Sequence, residues 1–232
     1  MTAQNVTITA ISGSFSAYLA VPDSPTGAGI VIIQEVFGVN STMRQIADAY
    51  AEAGYFALVP DLFWRMEPNV DLNPQYEDQL AQAFDFYARF DVDKGMEDLQ
   101  ATLTFLRQYP GCNGKVSSVG FCLGGKLAYL MATRTDADCN VSYYGVAIES
   151  SLAEATRIQK PLLLHLAEED EFVPPAAQAT IQQALKDNPL VTIYSYAGVS
   201  HAFGRVDSDA YRPIAAELAS DRTLAFLQYH LS

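Results

Sequence analysis

From residue 28 onward the sequence alternates between short, unbroken apolar runs and longer segments with helical spacing. Few folds accept that rhythm. The runs lie at 28–35, 55–61, 115–122, 140–145, 160–167 and 191–198, and "GIVII" or "PLLLHL" leaves no face for water. Such continuous apolar strands belong to a parallel sheet covered on both faces. Between them, helical spacing marks 42–53, roughly 75–89, 93–109, 124–134, 176–186 and 221–231, each closed where Gly or Pro interrupts the pattern or the chain turns polar. Two alternating stretches, 6–11 and 16–21, precede this series and flank Ser12–Phe15 with Gly13 at the turn, which reads as a β-hairpin. The expectation is an α/β fold: an N-terminal hairpin, then a mostly parallel, doubly wound sheet with helices on both faces. No shift in composition marks a second domain, so one domain is expected over 1–232.

The charge balance narrows the partners. A formal net charge of −13 would be repelled by nucleic acid and by anionic membrane surfaces, so neither is expected. The apolar runs are too short to span a bilayer, and "MTAQNVTITAISG" lacks the basic start and apolar stretch of a signal peptide. Three cysteines, Cys112, Cys122 and Cys139, are too few and oddly numbered for a disulfide framework, which points to reduced thiols in the cytoplasm. No Cys/His spacing suits zinc, and no metal or organic cofactor is expected. The expected partner is a small molecule; the chain should be a monomer, with a weak dimer as the alternative.

One stretch carries the chemistry. Gly120-Phe121-Cys122-Leu123-Gly124-Gly125-Lys126-Leu127 is nearly a phosphate-binding loop, but that loop needs Ser or Thr after its lysine to hold magnesium, and Leu127 stands there. Read as G-x-C-x-G, it is a sharp strand-to-helix turn presenting Cys122 at the carboxyl edge of a sheet, with glycines relieving crowding on both sides. A helix N-terminus beneath the sulfur favours a thiolate.

A thiol nucleophile needs a base and an orienting acid. His165 lies inside "LLLHL" and reads as a core residue, and His230 falls in the last helical turn. His201, in "AGVSHAFG", follows a strand and opens a loop, the place for a base. The acid should follow the strand at 160–167, where "AEEDEFVPP" offers Glu168, Glu169, Asp170 and Glu171. Asp170 is preferred because D-x-x-V-P suits an inward-aimed acid; Glu169 is the fallback. Cys122, Asp170 and His201 then follow strands five, seven and eight, in the order nucleophile, acid, base.

With these residues in place the chain resembles the dienelactone hydrolases (carboxymethylenebutenolidases) of the α/β-hydrolase superfamily. The resemblance is carried by "QEVFGVN" (34–40), "GYFALVPDLF" (54–63), "NGKVSSVGFCLGG" (113–125), "YYGV" (143–146), "EDEFVP" (169–174) and "SHAFGR" (200–205). It implies hydrolysis of a lactone or ester of the dienelactone-to-maleylacetate type, by thiolate attack and an acyl-enzyme. It further implies that Glu35 receives the thiol proton when substrate binds and swings toward Arg205. The backbone N–H groups of Leu123 and Val36 would form the oxyanion hole. A thiol with a pKa of roughly 8.5 is a weak nucleophile near neutrality, so a base engaged only by substrate makes chemical sense.

The resemblance is not complete. Where chlorocatechol-pathway relatives carry a substrate-binding arginine, a tyrosine and a tryptophan, this chain has Leu80, Phe84 and Tyr87. An isobutyl group in place of a guanidinium forgoes about 1.5–3 kcal/mol of charge-assisted bonding. Arg65 and Arg205 remain as carboxylate binders, and Phe37, Leu80, Phe84 and Tyr144 are expected to contribute to an apolar substrate pocket. The rival reading is a carboxylesterase or thioesterase of the same fold acting on neutral apolar esters. A non-catalytic binding protein would carry a broken triad, and a redox sensor would carry a resolving cysteine close by.

Overall fold

A computed structural model describes all 232 residues. Its fold is α/β, with eight strands that pair mostly in parallel, opened by an antiparallel hairpin as the sequence implied. The chain condenses into two compact units, Met1–Val116 and Ser117–Ser232.

In the first unit, β1 (Thr2–Ala10) and β2 (Gly13–Val21) form the hairpin. Both strands run further than the apolar alternation suggested. Ala10 pairs with Gly13, so the turn is only Ile11–Ser12. Gly13 has a φ of +149°, and a Cβ there would lie 2.6 Å from the Trp64 ring. Phe15, expected in the turn, is instead a buried strand residue stacked on Trp64 with ring centroids 5.7 Å apart. Strand β3 (Gly27–Ile33) is followed by α1 (Ser41–Glu52), β4 (Phe56–Pro60), α2 (Glu77–Arg89) and α3 (Val92–Arg107). The strand order is β1-β2-β4-β3, with β2 antiparallel and β3 parallel to β4. Helix α1 begins where the side chain of Asn40 accepts a bond from the Met43 amide at 3.1 Å, satisfying one of the donors a helix start leaves open.

The second unit is built on β5 (Cys112–Phe121), whose first residues belong to the unit before it, with α4 (Leu123–Arg134), β6 (Asn140–Tyr143), β7 (Leu162–Ala167), α5 (Pro175–Leu185), β8 (Val191–Tyr196) and α6 (Pro213–Leu231). Strands β5, β6, β7 and β8 lie side by side in that order, all parallel. Their carboxyl ends therefore open onto one edge, the edge at which open α/β sheets place their ligands. Val119, Val141 and Leu162–Leu164 are buried, and each fully buried aliphatic side chain contributes about 1.5–3 kcal/mol.

Two features of this unit escape periodicity. A 3-10 helix, Ile148–Arg157, follows β6 where no element was expected. Helix α6 starts eight residues earlier than the apolar pattern implied, at Pro213 rather than 221. Its first turns carry exposed Ile214 and Leu218, so the inward stripe of Ala219, Thr223, Leu227 and Leu231 at four-residue spacing becomes visible only later in the helix. No helix is long and apolar enough to cross a membrane.

Candidate active site

The turn after β5 is strained in the way a nucleophile elbow requires. Cys122 has φ 56° and ψ −115°, a region L-residues rarely enter, at a cost of about 1–3 kcal/mol. Neighbouring backbone enforces it. The Cys122 amide donates to the Tyr143 carbonyl at 3.1 Å, and the Cys122 carbonyl accepts from the amides of Gly125, Lys126 and Val146 at 3.0, 3.2 and 3.3 Å. Side chains would prevent this closure. A Cβ on Gly120 would overlap the Gly124 carbonyl, and one on Gly125 would sit 2.6 Å from the Tyr143 carbonyl oxygen. Helix α4 starts at Leu123, immediately after the thiol. The Leu123 N–H, as the first in the helix, has no acceptor within it and is available to a negative oxygen beside the sulfur. Lys126 lies in the same first helical turn. Burial lowers its pKa, opposed by the charge of Glu149.

The acidic turn after β7 resolves by burial. Glu168, Glu169 and Glu171 are exposed, whereas the Asp170 side chain is only 1% exposed. Its Oδ1 accepts the amides of Phe172 and Val173 at 2.8 and 3.2 Å. That leaves Oδ2 for His201 Nδ1, 2.8 Å away. The two loops are also joined by the Glu169 amide, which donates to the Val199 carbonyl at 3.0 Å.

His201 follows β8, its side chain 10% exposed. The Tyr144 and Phe172 rings meet it edge-on, centroids 5.0 and 4.8 Å away. Burial by itself disfavours the imidazolium; the hydrogen bond to Asp170, and then the neighbouring Cys122, outweigh burial and push the pKa up to about 10. Nε2 is sealed from water without a formed hydrogen bond. The Cys122 sulfur is close enough to favour the protonated ring.

Three candidates from the second unit thus converge: Cys122, His201 and Asp170. Tyr144 is fully buried with φ 37°, placed against His201. Arg205 is largely buried and pairs with Asp207, its Nε 3.3 Å from the carboxylate. In the first unit, Glu35 is 2% exposed just beyond β3, followed by buried Val36 and Phe37. Leu80 and Phe84 lie on α2, where Phe84 is 44% exposed. Arg65 has its guanidinium occupied. It grips the buried Asp98 through Nη2 at 2.7 Å and Nε at 3.2 Å, while Trp64 Nε1 donates to the same carboxylate at 2.9 Å. Sequence reasoning missed the Phe172 ring beside the base and the two amides that cage Asp170; nothing in the residue pattern announces either.

A thiol at a strand–helix elbow, followed in chain order by a buried carboxylate and the histidine it holds, places this chain among the α/β-hydrolases. The dienelactone hydrolase family is matched over residues 15–231. A carboxymethylenebutenolidase from Pseudomonas putida is 38% identical over 228 residues, with 98% of this chain and 97% of that protein covered. A protein of Azospirillum brasilense, provisionally assigned the same activity, is 44% identical over 228 residues, covering 94% of this chain and 95% of its own. A provisionally assigned dienelactone hydrolase structure from Klebsiella pneumoniae superposes with a TM-score of 0.87 at 24% identity, covering 98% of each chain. The chain belongs to the dienelactone hydrolase family.

Proposed function

We propose that this protein hydrolyses a lactone or ester, with Cys122 as nucleophile, His201 as proton carrier and Asp170 as the acid that orients it. The observation that carries this reading is the buried Asp170–His201 pair beside a thiol in a strained elbow. With the thiol proton already lodged on the His201 ring, whose protonated form Asp170 and Cys122 favour, the Cys122 sulfur attacks the carbonyl carbon as a thiolate. The negative oxygen that develops takes the Leu123 N–H; such a donor typically contributes about 10²–10³ in rate. As the intermediate collapses, the carbon–oxygen bond breaks, and the departing enolate or alkoxide takes a proton from His201. Water, deprotonated by the same ring, then cleaves the thioester and restores the thiol.

The family pattern offers a second route for the thiol proton: on substrate binding Glu35, in place of His201, would accept it, with Arg205 as its partner. It also adds the Val36 amide as a second oxyanion donor. These roles rest on the sequence pattern "QEVFG" and "SHAFGR". Substrates of the dienelactone type follow from the names of the relatives. One observation favours the alternative, a carboxylesterase for neutral apolar esters: the Arg65 charge is already neutralised by Asp98. We also propose one cooperative domain over 1–232, monomeric and cytoplasmic; a single calorimetric transition and a monomer mass in solution test the first two.

The deciding experiment is steady-state hydrolysis of a dienelactone beside p-nitrophenyl acetate, by wild type and Cys122→Ala, with mass spectrometry of the quenched enzyme. Preference for the dienelactone, an acyl adduct on the Cys122 peptide and an inactive mutant support the lactonase. Turnover of the neutral ester alone leaves the triad standing and makes the chain a general esterase. A fully active Cys122→Ala removes the nucleophile assignment.

A further inference from the structure

A second buried histidine lies beneath the triad and takes no part in the chemistry above. His165, on β7, is fully buried. Both ring nitrogens are engaged: Nδ1 with the Tyr196 hydroxyl at 2.8 Å and Nε2 with the Thr223 hydroxyl at 2.9 Å. Thr223 Oγ1 lies in turn 2.7 Å from the Tyr143 hydroxyl. Four side chains, from β6, β7, β8 and α6, are thereby joined in one buried chain of hydrogen bonds.

Each strand residue of this chain also supports part of the triad. The Tyr143 carbonyl accepts the Cys122 amide, and its ring stacks on Phe121, the residue before the thiol, at 4.9 Å. The His165 carbonyl accepts the amide of Tyr144 at 2.9 Å, and the Tyr144 ring packs against His201. The Tyr196 carbonyl accepts the Glu168 amide at 3.0 Å, in the loop that carries Asp170. The Tyr196 ring packs on Phe203, two residues beyond the base, at 5.0 Å. From these contacts we infer that His165, Thr223, Tyr143 and Tyr196 form a side-chain clasp that positions nucleophile, acid and base relative to one another. They are positioning residues, and none touches substrate.

The histidine suits the task for a chemical reason. A neutral imidazole offers one donor and one acceptor, so it can link two hydroxyls into a chain with one hydrogen-bond polarity. An imidazolium would present two donors and break that polarity. Burial, and then the Arg222 charge, lower the His165 pKa to about 3, so the ring stays neutral wherever the enzyme would work. The other polar groups around it are Tyr194, 6.2 Å away ring to ring, and Arg222, whose guanidinium lies over Tyr194 and Tyr196 at 3.9 and 5.3 Å.

The inference rests on the proposed triad, and its test separates the two. Thr223→Val keeps the side-chain shape and removes the central hydroxyl; Thr223→Ser restores that hydroxyl. Two quantities are read on protein shown to be folded by circular dichroism: kcat and KM on whichever ester the wild type hydrolyses, and the pH dependence of iodoacetamide alkylation at Cys122, resolved from Cys112 and Cys139 by peptide mass spectrometry. Small displacements between reacting groups are costly. Thr223→Val is therefore expected to lower kcat about tenfold with KM unchanged and to shift the alkylation profile, with Thr223→Ser near wild type in both. Tyr196→Phe, which deletes one link from the β8 side, should move both readouts in the same direction. Wild-type kcat and alkylation in Thr223→Val, or a Thr223→Ser no better than the valine, overturns the clasp. Alkylation needs no substrate, so its result stands even if the proposed hydrolysis fails.

Discussion

Replacing Asp170 by Asn isolates what the buried acid does. The two side chains have nearly the same shape, and an Asn carbonyl oxygen can still accept the Phe172 and Val173 amides that hold Oδ1 at 2.8 and 3.2 Å. Its amide nitrogen would then face His201 Nδ1, where Oδ2 now lies at 2.8 Å. Donor would meet donor, so the ring must turn its lone pair to Nδ1 and carry its proton on Nε2. That tautomer cannot accept a proton from the Cys122 thiol. In a serine protease the equivalent change, which keeps geometry and reverses the tautomer, lowers kcat by about 10⁴. A thiol needs less help than a hydroxyl, so a fall of about 10²–10⁴ in kcat/KM is expected here. The His201 pKa, held at about 10 against burial by Asp170 and Cys122, should drop toward or below its ordinary value once the carboxylate is gone. The sign for stability follows. A pKa raised on folding stabilises fully below the unfolded value near 6.5, and that contribution is lost as pH rises through about 10. The difference in melting temperature between wild type and Asp170→Asn should therefore be largest near pH 6 and shrink toward pH 10. Steady-state assays with a dienelactone and p-nitrophenyl acetate, a histidine NMR titration and melting curves over that range read all three effects. Activity within threefold of wild type, or an unchanged His201 titration, refutes the assignment of Asp170.

The elbow makes two further predictions. Cys122 sits at φ 56°, so Cys122→Gly should be inactive yet melt no lower than Cys122→Ala, because glycine relieves part of a strain of about 1–3 kcal/mol; an alanine variant clearly more stable than the glycine variant would show no strain. At Gly120 a Cβ has no space against the Gly124 carbonyl, so Gly120→Ala should lose several kcal/mol of stability and most soluble yield, whereas a stable, active alanine variant would mean the elbow can open.

The strands were legible because they are buried on both sides. "AGIVIIQE" and "KPLLLHLA" announce themselves by continuous hydrophobicity, and their boundaries fall within two residues of Gly27–Ile33 and Leu162–Ala167. What periodicity missed lies at the surface. The first residues of β1 are exposed and polar, and the start of α6 exposes Ile214, so neither shows an inward pattern. The 3-10 helix after β6 buries only Ile148 among its ten residues. At the site, chain order was enough to bring forward Cys122, Asp170 and His201. The choice among four neighbouring acids, however, depends on which carboxylate the backbone turns inward, and the amides of Phe172 and Val173 decide that. Arg65 shows the opposite limit: a sequence can offer a cation without revealing that Asp98 already holds it.

The two buried histidines of the second unit show why residue type and burial together still do not fix a role. His165 lies within β7 and His201 in the loop after the adjacent β8, both largely withdrawn from water. Burial disfavours the charged ring in each. At His165 the hydrogen-bond partners are neutral hydroxyls and the nearby charge is the Arg222 cation. Nothing repays the loss of solvation, so the pKa falls to about 3. At His201 one partner is a carboxylate with no other cation to satisfy it, and the other neighbour is a thiol that can become an anion. These overturn the burial penalty and carry the pKa to about 10. The first ring is fixed as a neutral strut; the second can accept and return a proton. Exchanging the Asp170 carboxylate for a neutral group should thus convert a proton carrier into another strut, which is why the acid, contributing no bond to substrate, belongs to the chemistry.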